Sequence, residues 1–379
     1  MKDHSLEVHG CHTYDATGAI SPSICLSATF RHPRFGESTG YDYGRVANPT
    51  RESLEKTVAL LERGGRSWAL SSGMAAVQLV FSLLSAGDHV LMSEDLYGGT
   101  VRLAEEVFAD YGITFEYVDV RDLALVGKRM RLETKLVFIE TPSNPMMQIS
   151  DIAALSALAH ENGALLAVDN TFLSPHFQKP LTLGADIVLH SGTKYLCGHN
   201  DVIAGFLVLK DATSAQAKRI ELLAKSAGPN LSALDSWLML RSIKTLGVRV
   251  ERQAENALAI AQWLGTLPEV TEVLYPGLAD HPGYALQQKQ ASGAGGMISF
   301  KVRSAELAKA ALGKLHLIAF AESLGGVETL LTYPIAQTHA EMPAALLKRT
   351  GLDDKLLRLS VGIEDVEDLK ADLQQALQG

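Results

Sequence analysis

A lysine stands among glycine and hydroxyl residues at Ser191-Gly192-Thr193-Lys194-Tyr195, just after the apolar run 185–189. A lysine is a poor packing choice there. It suits a Schiff-base amine beside a bound anion, because burial and neighbouring cations favour its neutral, nucleophilic form. One strand earlier, the uncharged run 164–168 ends in Asp169-Asn170-Thr171. A carboxylate in that position needs a cation or hydrogen-bond donors as compensation. One strand earlier again, residues 135–140 lead into Thr141-Pro142-Ser143-Asn144-Pro145. Near the start of the pattern, Ser71-Ser72-Gly73-Met74 joins a short strand to an apolar helix. That turn is a ready anion site, with the N–H groups of Gly73 and Met74 facing the ligand. Tyr97 follows a further strand and can stack on a planar ring.

These residues must be positioned by a regular scaffold. Strands are expected at 67–70, 89–93, 115–118, 135–140, 164–168, 185–189 and 204–209. Helices are expected at 51–63 (with Thr50 as N-cap), 75–84, 101–111 and 151–162. Strands alternating with helices predict a mostly parallel α/β sheet. In such sheets ligands bind at the carboxyl ends of the strands, where Asn144, Asp169 and Lys194 fall. From about residue 230 the pattern changes to long helices at 231–246 and 248–264. Short strands near 270–275 and 296–302, and helices near 305–312 and 364–377, then describe a smaller α+β unit. Residues 1–45 show little helical periodicity and read as an extended arm that packs on a partner subunit. The expected division is therefore an arm at 1–45, a large domain at 46–240 and a small domain at 241–379.

Composition bounds the function. The 379 residues, 47% hydrophobic and 20% charged, describe an ordinary globular chain of about two domains. A net charge of −9 leaves no basic footprint for nucleic acid. Three widely spaced cysteines, Cys11, Cys25 and Cys197, argue against a disulfide framework and fit a reducing cytoplasm. His9-Gly10-Cys11-His12 matches no standard ligand spacing, so no metal is expected. No apolar run reaches the length of a membrane span, and no signal peptide is evident after Met1, so the cytoplasm is the expected location. Gly293-Ala294-Gly295-Gly296 lacks dinucleotide-binding spacing and precedes a strand, so it reads as a turn.

The strand-end residues combine into one chemistry. Lys194 can bond an aldehyde, and Asp169 can hold a protonated ring nitrogen. Ser72, Gly73, Met74, Ser191 and Thr193 can hold a phosphate, while Tyr97 covers the ring. That set describes a site for pyridoxal 5′-phosphate.

The chain resembles the Cys/Met-metabolism family of fold-type I pyridoxal-phosphate enzymes, the transsulfuration group, from end to end. The resemblance rests on Tyr43-Gly-Arg45, Asn48-Pro-Thr50, Ser72-Gly-Met74 and Asp95-Leu-Tyr97-Gly-Gly99 in the first third. It continues in Pro142-Ser-Asn-Pro145, Asp169-Asn-Thr171, Ser191-Gly-Thr-Lys-Tyr195, Glu322-Ser-Leu-Gly-Gly326 and Arg358-Leu-Ser-Val-Gly362. It implies a seven-stranded, mostly parallel sheet domain with a smaller C-terminal domain. Lys194 would hold the cofactor and move protons, Tyr97 would stack and act as an acid or base, and Ser323 would orient Lys194. Arg358, with Asn144, would bind the substrate carboxylate, and Glu322 would meet a distal amino group. Tyr43 and Arg45 would reach the phosphate in a neighbouring subunit, implying a catalytic dimer paired into a homotetramer.

Family members share the site and differ in reaction. Glu322-Ser323-Leu-Gly-Gly resembles the γ-synthases and γ-lyases, and the bulky aromatic of enterobacterial β-lyases is absent. Gly99 stands where methionine γ-lyases usually carry cysteine. Residues 36–43, His199-Asn200-Asp201 and Leu331-Thr-Tyr-Pro334 look most like Gram-positive cystathionine γ-synthases, some of which also use sulfide. The resemblance implies γ-replacement on an O-acyl-homoserine with cysteine to give cystathionine. The alternative is cleavage of cystathionine as a γ- or β-lyase. Gly192 and Gly44 depart from the alanine and serine common elsewhere, with no expected effect on the chemistry.

Overall fold

The structure is a computed structural model that describes residues 1–11 and 17–378. His12 lies outside the described residues. Seven strands form the large sheet: β1 (Arg66–Leu70), β2 (His89–Ser93), β3 (Thr114–Val118), β4 (Thr134–Glu140), β5 (Leu165–Asp169), β6 (Ile187–Ser191) and β7 (Gly205–Leu209). Their order is β1-β7-β6-β5-β4-β2-β3. Pairing is parallel from β3 through β6, and β7 runs antiparallel to both of its neighbours. Each expected strand is present within about two residues of its expected bounds.

The strands are continuous apolar runs because both faces are covered. Val137, Ile139, Leu166, Val168 and Val188 point into one core. Leu136, Phe138, Ala167, Ile187 and Leu189 point into the core on the other face. Period-two alternation thus survives in which core receives each side chain, although every position is apolar.

Five further strands form the second sheet: β8 (Val270–Leu274), β9 (Met297–Val302), β10 (Ala319–Phe320), β11 (Leu330–Thr332) and β12 (Leu356–Ser360), in the order β10-β11-β12-β9-β8. Three of these strands, β10 to β12, had no counterpart in the periodicity. The helix Leu246–Leu264 connects the two sheets. Its first turns place Leu246 and Val250 in the core of the large sheet, and Ala257, Ile260, Ala261 and Leu264 lie in the core of the small one.

Two local expectations are corrected. The first large helix is Pro49–Leu61, and its cap is Asn48, not Thr50. The Asn48 carboxamide accepts from the N–H groups of Thr50 and Arg51, and Pro49 occupies the first helical position, where its missing N–H costs nothing. The arm is also not wholly extended. Asp3–His9 forms a short helix, and Leu6 is buried in the large core of its own chain. Seven residues are too few for a period to show.

Candidate active site

The carboxyl ends of β4, β5 and β6 lie side by side, with Glu140 opposite Asp169 and Asp169 opposite Leu189. They open onto a cavity of about 330 Å³. Lys194 reaches it from the turn after β6. That turn is fastened by the Thr193 hydroxyl, which donates to the Ala204 carbonyl (3.2 Å) and accepts from its N–H (3.0 Å). Gly192 is sterically required here: a Cβ would lie 2.5 Å from the Phe206 ring. The departure from alanine at 192, which looked incidental in the sequence, is matched to the ring beneath it.

The Lys194 amine donates to the Ser323 hydroxyl at 2.8 Å. Burial, with the nearby Arg358 charge second, pulls the amine down to about 8, while Glu322 opposes them. A neutral, nucleophilic fraction is therefore accessible near pH 8. Ser323 has a φ of 101°. A non-glycine residue in that region is strained, and such strain collects at working sites.

Arg358 lies in the middle of β12, between Ser299 of β9 and Thr332 of β11. It is 1% exposed. Its guanidinium donates to Asn144 Oδ1 (2.8 Å), the Ser323 carbonyl (3.2 Å) and Thr332 Oγ1 (3.3 Å). Its Nε–H has no partner among the described residues. An unpaired buried donor is costly, and a carboxylate arriving in the cavity would satisfy it. Burial lowers Arg358 to about 10, so it stays charged at neutral pH. The Ser299 hydroxyl donates to the Pro145 carbonyl (2.6 Å) and ties the small sheet to the loop carrying Asn144.

Asp169 Oδ1 accepts from the N–H (3.0 Å) and hydroxyl of Thr171. Among the described residues no basic side chain forms an ion pair with it. Burial raises its pKa against the Thr171 hydrogen bonds. A cationic ring nitrogen would offset that cost. The anion end is equally suited. Ser72 caps the helix Gly73–Phe81 by accepting from Ala75 N–H (3.1 Å), which leaves the free N–H groups of the first turn at the cavity. A Cβ at 73 would sit 2.9 Å from Ser191 Cβ, and one at 205 would sit 1.9 Å from the Ser72 carbonyl oxygen. These two glycines let backbone approach backbone where a phosphate would be cradled. The residues present therefore fit pyridoxal phosphate: Lys194 at the aldehyde, Asp169 at the ring nitrogen, and Gly73, Met74 and Ser191 at the phosphate.

Of the residues expected in the site, Ser72, Gly73, Met74 and Tyr97 line the cavity from one side. Asn144, Asp169, Ser191, Thr193 and Lys194 line its floor, and Glu322, Ser323 and Arg358 line the side of the small sheet. The Thr193 hydroxyl both donates and accepts within the local fold, whereas Ser72 Oγ accepts from Ala75 and keeps its own O–H to donate. Tyr43 and Arg45 are not in the cavity of their own chain. Tyr43 is half exposed, with the Arg45 guanidinium 5.6 Å from its ring centroid.

Sequence reasoning missed two buried groups. Glu140 lines the cavity and accepts from the Tyr97 N–H at 3.1 Å. Burial, with Asp169 next to it, raises its carboxyl well above the usual range. His339 is buried, and its Nε2 lies 3.0 Å from the Asn144 carbonyl and 3.2 Å from that of Leu96. Burial and the Arg358 charge lower it to about 4, so it is a neutral brace between the Asn144 and Tyr97 loops. Glu140 was visible as the charge ending an apolar strand; nothing in the local sequence marked His339.

Comparisons with known proteins agree with this geometry. The family described as Cys/Met metabolism PLP-dependent enzyme matches residues 4–378. Cystathionine gamma-lyase of Bacillus subtilis is 47% identical over 379 residues, covering all of both chains. The cystathionine gamma-synthase/O-acetylhomoserine (thiol)-lyase of the same organism is 46% identical, covering 96% of this chain and 92% of that one. The structure of cystathionine gamma synthase from Xanthomonas oryzae pv. oryzae in complex with cystathionine superimposes with a TM-score of 0.96 at 41% identity, covering 100% and 98% of the two chains. With a lysine, an acid and an anion cradle set at adjoining strand ends, and with these relatives, the chain belongs to the Cys/Met-metabolism family of pyridoxal-phosphate-dependent transsulfuration enzymes.

Proposed function

We propose that this chain catalyses γ-replacement on an O-acyl-homoserine, joining it to cysteine to give cystathionine, with sulfide as a second acceptor. The observation that carries the reading is the placement of Glu322 at the same cavity as Lys194 and Arg358, close enough to act electrostatically on both. A carboxylate and a guanidinium in one cavity suit an amino acid with a carboxylate at one end and an incoming ammonium at the other.

Bound pyridoxal phosphate supplies an electron sink that makes the α and β protons of the substrate removable. Arg358, aided by Asn144, holds the α-carboxylate and fixes which bonds face Lys194. The Lys194 amine takes the α proton and delivers protons along the substrate backbone, and Ser323 Oγ keeps it aimed. Asp169 keeps its partner nitrogen protonated. Tyr97, at the cavity, would stack on the ring and supply a proton to the leaving group. Gly99 supports this assignment against a methionine γ-lyase reading: a Cβ at 99 would lie 2.5 Å from the Tyr97 ring. Tyr43 and Arg45, outside their own cavity, support a dimer in which each chain completes its neighbour's phosphate site, and two such dimers would make the homotetramer.

The second reading is a cystathionine γ-lyase, since Glu322 would also receive the distal ammonium of cystathionine. Purified enzyme given O-acetylhomoserine and cysteine should form cystathionine. Release of ammonia and a keto acid from cystathionine, with no synthesis, would overturn the proposal in favour of the lyase.

A further inference from the structure

Far along the chain from Lys194, the N-terminal helix Asp3–His9 rests against the start of the helix Leu246–Leu264 and the short helix Ser174–Phe177. Among the described residues, His4, Glu7 and His176 there bring one nitrogen or oxygen each within 4.8 Å of one another. We propose that they form a site for a divalent transition-metal ion of the zinc class, which clamps the N-terminal helix to the body of the chain.

The ligand set is two imidazoles and a carboxylate, a combination that such ions favour. His4 and Glu7 are three residues apart and share one helix face. Glu7 Oε2 lies 3.6 Å from His4 Nδ1, and Glu7 Oε1 lies 2.7 Å from His176 Nδ1. Tetrahedral coordination with bonds of about 2.1 Å separates ligand atoms by roughly 3.4 Å. The ligand atoms, all within 4.8 Å of one another, lie near enough to that value for side-chain rotation to close the set.

Three further features favour a cation at this point. Glu7 is 3% exposed and turns one carboxylate oxygen to each of the two imidazoles. The distal nitrogens of both histidines face one carboxylate: Glu251 Oε1 lies 3.3 Å from His4 Nε2 and 3.3 Å from His176 Nε2. A single acid therefore orients both rings with their Nδ1 atoms turned inward, as outer carboxylates do around metal-bound histidines. The two carboxylates also balance a dipositive ion.

Gly247 supports the cluster from below. Its N–H donates to Glu7 Oε2 (3.1 Å), and a Cβ there would lie 2.6 Å from that oxygen and 2.7 Å from His4 Nδ1. The ligands span more than 170 residues, so the spacing rules that argued against a metal at His9–His12 could not reveal them.

Holoenzyme freed of adventitious metal would be titrated with Zn²⁺ by calorimetry and with Co²⁺ by visible spectroscopy. One equivalent per chain should bind in the micromolar range or tighter, with a tetrahedral Co²⁺ spectrum. Hydrogen exchange over residues 3–9 should slow when Zn²⁺ is added. His4 is exposed, so His4→Ala should fold normally and lose at least about tenfold in affinity; Glu251→Gln should lose about tenfold through ring orientation. His9→Ala, on the same helix, should bind as wild type. Saturable binding that is unchanged in His4→Ala, or no saturable binding below about 1 mM, would overturn the proposal. A normal circular dichroism spectrum in each variant keeps a folding defect from being mistaken for lost ligation.

Discussion

The two sides of the cavity are built by different means. The large-sheet side is a row of strand ends followed by short turns: Gly73 and Met74, Asp169 and Lys194 each lie within a few residues of the element that aims them. The small-sheet side comes from the middle of a strand and from a strained loop. Arg358 points out of β12 and is fixed by Asn144, Thr332 and the Ser323 carbonyl, three partners that lie 26 to 214 residues away. The first side is suited to a cofactor common to a whole family. On the proposed function, the second would hold the substrate. Holding the cofactor and holding the substrate thus fall largely to different sheets, with Ser323 reaching across to Lys194.

Substitutions can test that separation. The largest effect is expected from Lys194→Ala, which should remove the visible cofactor absorbance that depends on this amine and reduce kcat by at least ~10³-fold. Persistence of the same band would refute the lysine assignment. Arg358→Leu should keep that band. Its kcat/KM should fall by at least ~30-fold, because losing one partner of a buried charge pair costs about 2–5 kcal/mol. If the band is lost as well, the two sides do not act separately. Ser323→Ala should reduce kcat by about five- to tenfold, the value of one hydrogen bond, with KM nearly unchanged. Glu322→Gln should raise the KM for cysteine about two- to fivefold and leave sulfide use almost untouched. An equal effect on both acceptors would remove Glu322 from recognition of the ammonium.

The pH dependence sharpens the same comparison. The neutral Lys194 amine is the reactive form, and its pKa is lowered to about 8. Recombination of the apoenzyme with pyridoxal phosphate should accelerate as pH rises through 8 and then level off. In Arg358→Leu a cation that holds the amine down is gone, so the midpoint should move to higher pH. Stopped-flow absorbance across the pH range measures both.

The same contrast explains what the sequence could reveal. Asp169 and Lys194 were legible because each interrupts an apolar strand at its end, and the alternation of elements fixed which end faces the ligand. Strands β10 to β12 were not, because two to five residues in a mixed sheet carry too little periodicity. Arg358 was found through family resemblance, since nothing near it announces that its charge would be buried. Asn48 was passed over for Thr50, since both are good caps and only the position of Pro49 separates them. His339 stayed hidden for a simpler reason: its partners are the carbonyls of Leu96 and Asn144, which any residue would supply.

The helix Leu246–Leu264 bears on how this enzyme could be re-engineered. At 1.5 Å per residue it is about 28 Å long, and its two ends answer to different neighbours. A chimera exchanging the small-sheet half with a relative is poorly joined at residues 244–245, between the helix Ala233–Ile243 and this one. Such a joint would import Leu246 and Val250 to face a large-sheet core they did not coevolve with. A joint inside the helix, after Val250 and before Ala257, would leave each half with its own wedge of side chains. Selectivity would then be transferable as a module, with the seam placed in an element that belongs to both.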